Sequence, residues 1–220
     1  MSVMLKRLAG SGMAVAVLLV VGCNQSATPA ASEGTPGKSG VFEAQTFTPA
    51  ALVTAKTAFN PMYTSAIKWA PDVVLLSINP KEVTGFTNLA GKAAMWEAAF
   101  ASPSLHKYRV DDYAIVTVLP SIHKGGTAGL PMPWSGATRD VMPVEISSFN
   151  VDSDTAYKTA AAEAADWMTK NPSKKLTTIA LGNTYKFQMP VWYVLWGDPK
   201  TGGYVVYVDA TSGKVLKTKK

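Results

Sequence analysis

Tyr204-Val205-Val206-Tyr207-Val208-Asp209-Ala210-Thr211-Ser212-Gly213-Lys214-Val215 sets the architecture of the chain. Tyr204 to Asp209 is dense in β-branched and aromatic residues and reads as a strand. Asp209-Ala210-Thr211-Ser212-Gly213 predicts a tight turn with Gly213 free to take positive φ, and Lys214 to Lys217 returns as a short last strand. Working upstream, Val191 to Trp196 is a second strand, joined to the first through the turn Gly197-Asp198-Pro199-Lys200-Thr201-Gly202-Gly203. Leu176 to Leu181 is a third. Before them Asp152-Ser153-Asp154 caps a helix that runs to about Lys170 and stops at Asn171-Pro172. Tyr157, Ala160, Ala161, Ala164, Trp167 and Met168 share its apolar face. A helix followed by an antiparallel meander is a helix-on-sheet α+β unit.

The region upstream reads in similar terms. Thr48-Pro49 predicts a helix start, with Leu52, Ala55 and Phe59 at helical spacing. Asn60-Pro61 is expected to interrupt it. A second helical piece, Tyr63 to Ala70, carries Trp69 near its end and breaks at Pro71-Asp72. Val73 to Ile78 is a buried strand, closed by Asn79-Pro80. A fixed offset then relates the halves. Trp96 matches Trp192, Phe100 matches Trp196, Pro103 matches Pro199, Tyr108 matches Tyr204 and Val110 matches Val206. This predicts two copies of one helix-and-meander unit, each with its own small aromatic core.

The strand and turn from Tyr204 to Val215, with Pro190-Val191-Trp192-Tyr193-Val194 before them, resemble the end and central strand of a PepSY domain. The resemblance covers about residues 154 to 218 well and about 48 to 118 weakly. In the first copy Asp111-Asp112-Tyr113 stands near the place of the missing Asp-Ala-x-x-Gly turn. The resemblance implies an α+β fold of two PepSY-like units. It also implies inhibition or binding of another envelope protein or a peptidase, and it carries over no catalytic residues and no cofactor.

The chain has 220 residues, is 47% hydrophobic, and holds one cysteine and two histidines, which excludes a disulfide scaffold and a Cys-rich zinc module. Lys6 and Arg7 precede the uncharged apolar run 13–22, too short to span a bilayer. Val20-Val21-Gly22-Cys23 resembles the bacterial lipobox. It implies a signal peptide over residues 1–22, a lipidated Cys23 and a membrane anchor; Asn24 favours the periplasmic face of the outer membrane. Removing residues 1–22 leaves 19 of the 21 basic side chains against 15 acidic ones, a formal charge of +4 instead of +6. That balance argues against nucleic acid, and Lys214, Lys217, Lys219 and Lys220 read as a solvated tail. The expected organisation is a signal peptide 1–22, lipidated cysteine and flexible tether 23–46, diverged unit 47–118, irregular connection 119–150 and PepSY-like domain 151–220.

Catalytic chemistry finds little footing. Gly37-Lys38-Ser39 lacks the glycine and the strand that a phosphate loop needs. Ser121 or Ser135 with His123 and Asp140 would supply the residue types of a triad, so a small envelope hydrolase using His123 stays open as an alternative. A structural scaffold lipoprotein is a third reading. His106 reads as a turn residue. Asp111-Asp112, adjacent on a strand, point to opposite faces and read as hairpin solvation. Glu163 and Asp166 share a solvated helix face. No metal or cofactor is expected. The connection 119–150 is rich in Gly and Pro yet holds Leu130, Met132, Trp134 and Met142. Pro131-Met132-Pro133-Trp134 either forms an exposed apolar ridge, with Met132 and Trp134 as partner-binding anchors, or folds back so that Trp134 plugs the joint between the copies.

Overall fold

The long strands of the main sheet turn one face to the helices and the other away from them. The computed structural model describes residues 52–118 and 120–219. In chain order these form β1 (Val53–Thr54), α1 (Ala55–Trp69), β2 (Val74–Lys81), β3 (Lys92–Ala93), β4 (Met95–Ser102) and β5 (Lys107–Ala114). Next come β6 (Gly125–Thr127), β7 (Met132–Pro133), a 3-10 turn at Ile146–Ser148, α2 (Ser153–Glu163) and α3 (Ala165–Lys170). The chain closes with β8 (Leu176–Asn183), β9 (Pro190–Trp196), β10 (Tyr204–Asp209) and β11 (Val215–Lys219). Every strand pairing is antiparallel. The main sheet has the order β11-β10-β9-β8-β2-β4-β5-β6, with β7 also on the outer edge of β5, while β1 pairs with β3. The α+β class expected from the sequence is what the chain adopts.

The halves are built alike. Helix α1 buries Ala55, Ala58, Met62 and Ala66; α2 and its cap bury Ser153, Ala156, Ala160 and Ala164 at the same spacing. Trp96 and Trp192 are fully buried, and each indole N–H donates to a backbone carbonyl just ahead of the helix of its own half, Val53 O and Val151 O, both at 2.9 Å. The ladder β2–β4 slips by a residue between Leu75 and Ser77, and β8–β9 slips in the same place, between Leu176 and Thr178. A bulge re-aims a strand and has no signature in hydrophobic pattern alone.

One expected correspondence shifts. Phe100 pairs with Arg109, whereas Trp196 pairs with Tyr204. Eight residues separate Phe100 from Arg109 and seven separate Trp196 from Tyr204, so the returning strand enters one residue out of step. Arg109 therefore takes the place of Tyr204, and Asp111 that of Val206, in place of the Tyr108 and Val110 matches.

The cores are also not separate. One cluster runs from Phe59, Met62, Trp96 and Phe100 through Phe149 to Trp192, Trp196 and Val206. Phe149 joins the halves by edge contacts to Phe59 (5.6 Å) and Trp192 (5.8 Å). The two helix starts are tied as well: Ala55 N–H donates to Ser153 Oγ and Lys56 N–H to Asp152 Oδ1. Strands β2 and β8 pair only at Ser77–Gly182 and Ile78–Leu181. Where they diverge, Met142 and Val144 bridge to Asn183 and Leu75 and fill the gap.

Local expectations need three further corrections. Helix α1 begins at Ala55 with Thr54 as its cap and runs unbroken through Pro61. Pro61 and Thr57, whose carbonyl Pro61 leaves without its helix bond, are both exposed, so water can accept the loss. Strand β2 continues through Pro80, because the ladder to β8 has ended there and no donor is required on that side. The second helix divides at Ala164, whose backbone (φ −86°, ψ 0°) leaves helical geometry. Gly213 takes the expected positive φ, 75°. Thr48-Pro49, the signal segment, Cys23 and the tether lie outside the described residues.

Candidate functional site

Alternation along β5 places Arg109 and Asp111 on the helix-facing side of the sheet, where the other half has Tyr204 and Val206. The result is a buried polar knot inside an otherwise apolar layer. Arg109 Nη2 donates to Asp111 Oδ2 at 2.8 Å and to Ser65 Oγ of α1 at 2.9 Å. Its guanidinium lies 4.9 Å from the Trp69 ring centre. In the other half Tyr204 stacks on Trp167 at 5.4 Å, so the corresponding indole is covered by a cation in one half and a phenol in the other. Asp111 is only 1% exposed. Burial pushes its carboxyl up, against the pull of the Arg109 charge and the Gly129 N–H.

That second pull is the functional link. Strands β6 and β7 dock on opposite ends of β5, and the chain between them passes over it. There Gly129 N–H donates to Asp111 Oδ1 at 3.2 Å. A Cβ on Gly129 would collide with the Val110 carbonyl oxygen, so only glycine allows this approach. The next residue, Leu130, is 86% exposed. Met132 follows at 41%, and Leu105, from the neighbouring turn, is 46% exposed. Trp134 N–H donates to His106 O, and the Tyr108 hydroxyl donates to Met132 Sδ. Exposed apolar side chains are thus presented from a backbone held on both flanks.

Met132 and Trp134 were the anchors expected from the sequence. Met132 is exposed as that reading requires. Trp134 is half-buried beside the β4–β5 turn, and Leu130 is the more prominent side chain. Trp134 does not plug the joint between the halves: β4 and β5 separate it from the β2–β8 seam, which Met142–Val144 fills. Nor is the connection structureless, since it supplies β6 and β7. Asp111 is not a solvated hairpin residue, for the reason given by Arg109. Trp192 and Trp196 lie in the core, as expected. His123, Ser121, Ser135 and Asp140 are all exposed, and among the described residues no hydrogen bond joins His123 to any of them. His106 occupies the β4–β5 turn with φ 50°. Glu163 and Asp166 are exposed. Among the described residues no group of three His, Cys, Asp or Glu could hold a metal ion, and no helix is long and apolar enough to cross a membrane. Cys23 lies outside the described residues.

Comparison with protein-family models, curated proteins and solved structures gives no match to this chain.

Proposed function

We propose that the protein is an exported envelope lipoprotein, anchored through lipid on Cys23, whose body is a non-catalytic binding or inhibitory module of two PepSY-like units. The observation that carries the binding part is Leu130, the most exposed large apolar side chain among the described residues, standing next to a backbone amide held by a buried ion pair. Ordering a loop on association costs free energy; a loop already fixed to the sheet avoids most of that cost. An exposed leucine on a mobile loop would be unremarkable, but one on a clamped segment is a preorganised anchor. Met132, two residues on and also exposed, extends the apolar surface that a partner's pocket can cover. The PepSY-like units support an envelope protein or peptidase as that partner. The lipobox-like Val20–Cys23 supports the anchor.

A photoreactive amino acid placed at Leu130 of the full-length, membrane-inserted chain tests this. One discrete adduct is expected on irradiation in cells, reduced by Met132→Ala and absent when the probe sits at exposed Lys158. Equal labelling at Lys158 and at Leu130 refutes the binding edge. Metabolic acyl labelling that persists in Cys23→Ser refutes the anchor.

A further inference from the structure

On the sheet face turned away from the helices, Gly182 of β8 stands opposite Val191 of β9, and Tyr207 of β10, paired with Tyr193, lies diagonal to Val191. Above them lies a cavity of about 520 Å³, within the range of small-molecule sites. Its walls are two segments laced together: Tyr185 N–H donates to Arg139 O, and Met142 N–H to Asn183 O. Gly182 opens the floor, because even a Cβ built there would meet nothing within 4 Å. Aromatic rings form the lining, with Phe187 against Tyr207 at 4.9 Å.

Two cations sit on these rings. Arg139 lies 4.4 Å from the Tyr185 ring centre, and the Lys186 ammonium lies 4.5 Å from that of Tyr207 and 4.9 Å from that of Phe187. Among the described residues neither has an ion-pair partner within 4.0 Å; the ion pairs present are Lys81–Glu97, Arg109–Asp111 and Lys158–Asp154. Asp140 also borders the cavity, leaving two positive charges against one negative. Ring contact fixes each cation in place while its N–H groups keep free hydrogen-bonding capacity. We propose that this cavity binds a small carboxylate borne on an apolar body, the acid held by Arg139 and Lys186 and the body resting on Phe187, Tyr207 and the open floor at Gly182. This site is on a different face and strand set from the Leu130 edge and does not depend on it.

Equilibrium dialysis against the full-length chain in lipid nanodiscs, with empty nanodiscs as the blank, tests the proposal. The probes are indole-3-acetate, octanoate and tryptamine. Saturable one-site binding of at least one acid is expected, with tryptamine excluded; which acid binds decides between a planar ring and an acyl chain. Arg139→Ala with Lys186→Gln should weaken binding by about tenfold or more. Gly182→Val should abolish it by filling the floor, with the unfolding midpoint unchanged, because valine suits a strand and has room there. Absence of saturable acid binding overturns the proposal. So does tryptamine binding equally well, or acid binding that survives both the cation variant and Gly182→Val. If Gly182→Val does not fold, the cation variant decides alone.

Discussion

Replacing Asp111 by alanine removes one partner of a buried ion pair and leaves the other in place. Arg109, with a side chain 7% exposed, would lose its carboxylate partner and, among the described residues, keep Ser65 Oγ and the Trp69 ring. Breaking such a pair costs about 3–5 kcal/mol, because the stranded charge is not resolvated. For a body of this size that lowers the thermal midpoint by about 10 °C or more. The other half supplies the control. Its equivalent positions hold Tyr204 and Val206, so Arg109→Tyr with Asp111→Val transplants a packing the same protein already uses. Exchange of a buried pair for apolar residues of fitting shape is often neutral or stabilising, so the double variant should recover most of the loss. It should not recover the loop. With no carboxylate at 111, the Gly129 amide loses its acceptor, so its hydrogen exchange should rise towards the rate of an exposed amide while amides in β4 stay protected. Urea denaturation measures the first effect and exchange by NMR or mass spectrometry the second. A double variant as unstable as Asp111→Ala would refute the assigned register between the halves. An unchanged Gly129 exchange rate would refute the clamp.

Three other variants probe separate parts of the structure. Asp112 stands directly opposite Glu97 across the β4–β5 ladder, and burial, then Glu97, raise its carboxyl above the ordinary value of 3.8, with Lys81 opposing. A raised acid costs stability while it is ionised; the cost shrinks as pH falls below its folded value and is gone below the ordinary value. Asp112→Asn should therefore stabilise by about 0.5 kcal/mol at neutral pH, with the gain shrinking on acidification in urea titrations. Trp96→Phe and Trp192→Phe each delete an indole N–H that satisfies a backbone carbonyl; both should cost about 1–3 kcal/mol by chemical denaturation, and a large inequality between them would count against matched roles. Pro61→Ala restores a helix bond in α1 and should stabilise by about 1–3 kcal/mol, read as a raised thermal midpoint.

Local pattern carried far in the C-terminal half. Tyr204–Asp209, the turn ending in Gly213, the Asp152 cap and the apolar helix face were all legible, because caps, turns and period-two alternation act over a few residues. The anchors Trp96/Trp192 and Phe100/Trp196 were legible as well. What failed depended on partners distant in sequence. Pro61 stays inside a helix because Ala58, Phe59 and Met62 are buried around it, which no local rule sees. The shared core needed Phe149, from the irregular connection, to lie between Phe59 and Trp192. At the site, Met132 and the apolar character of the loop were visible, but Gly129 and Leu130 were not distinguished. The missed signal was Arg109-Val110-Asp111. Two opposite charges at i, i+2 on a strand share one face, and alternation from Trp96 and Phe100 through the pairing makes that face the buried one.

The central pairing of β2 with β8 gives this difference between the halves its significance. Two similar halves that pair through β2 and β8 in one sheet cover each other's inner edges there. Tyr204 and Val206 keep the second half apolar beneath its helix. Its outer neighbour is β11, a plain returning strand that follows β10 directly. In the first half the same two positions hold Arg109 and Asp111, and the outer edge is shared by β6 and β7, which the chain reaches through a long connection. An apolar side chain at 111 offers nothing to a backbone amide, whereas a carboxylate can reach the Gly129 N–H. The buried charge is thus explained by what it holds: a segment crossing the sheet edge that neither strand pairing nor a hydrophobic core could fix at that point.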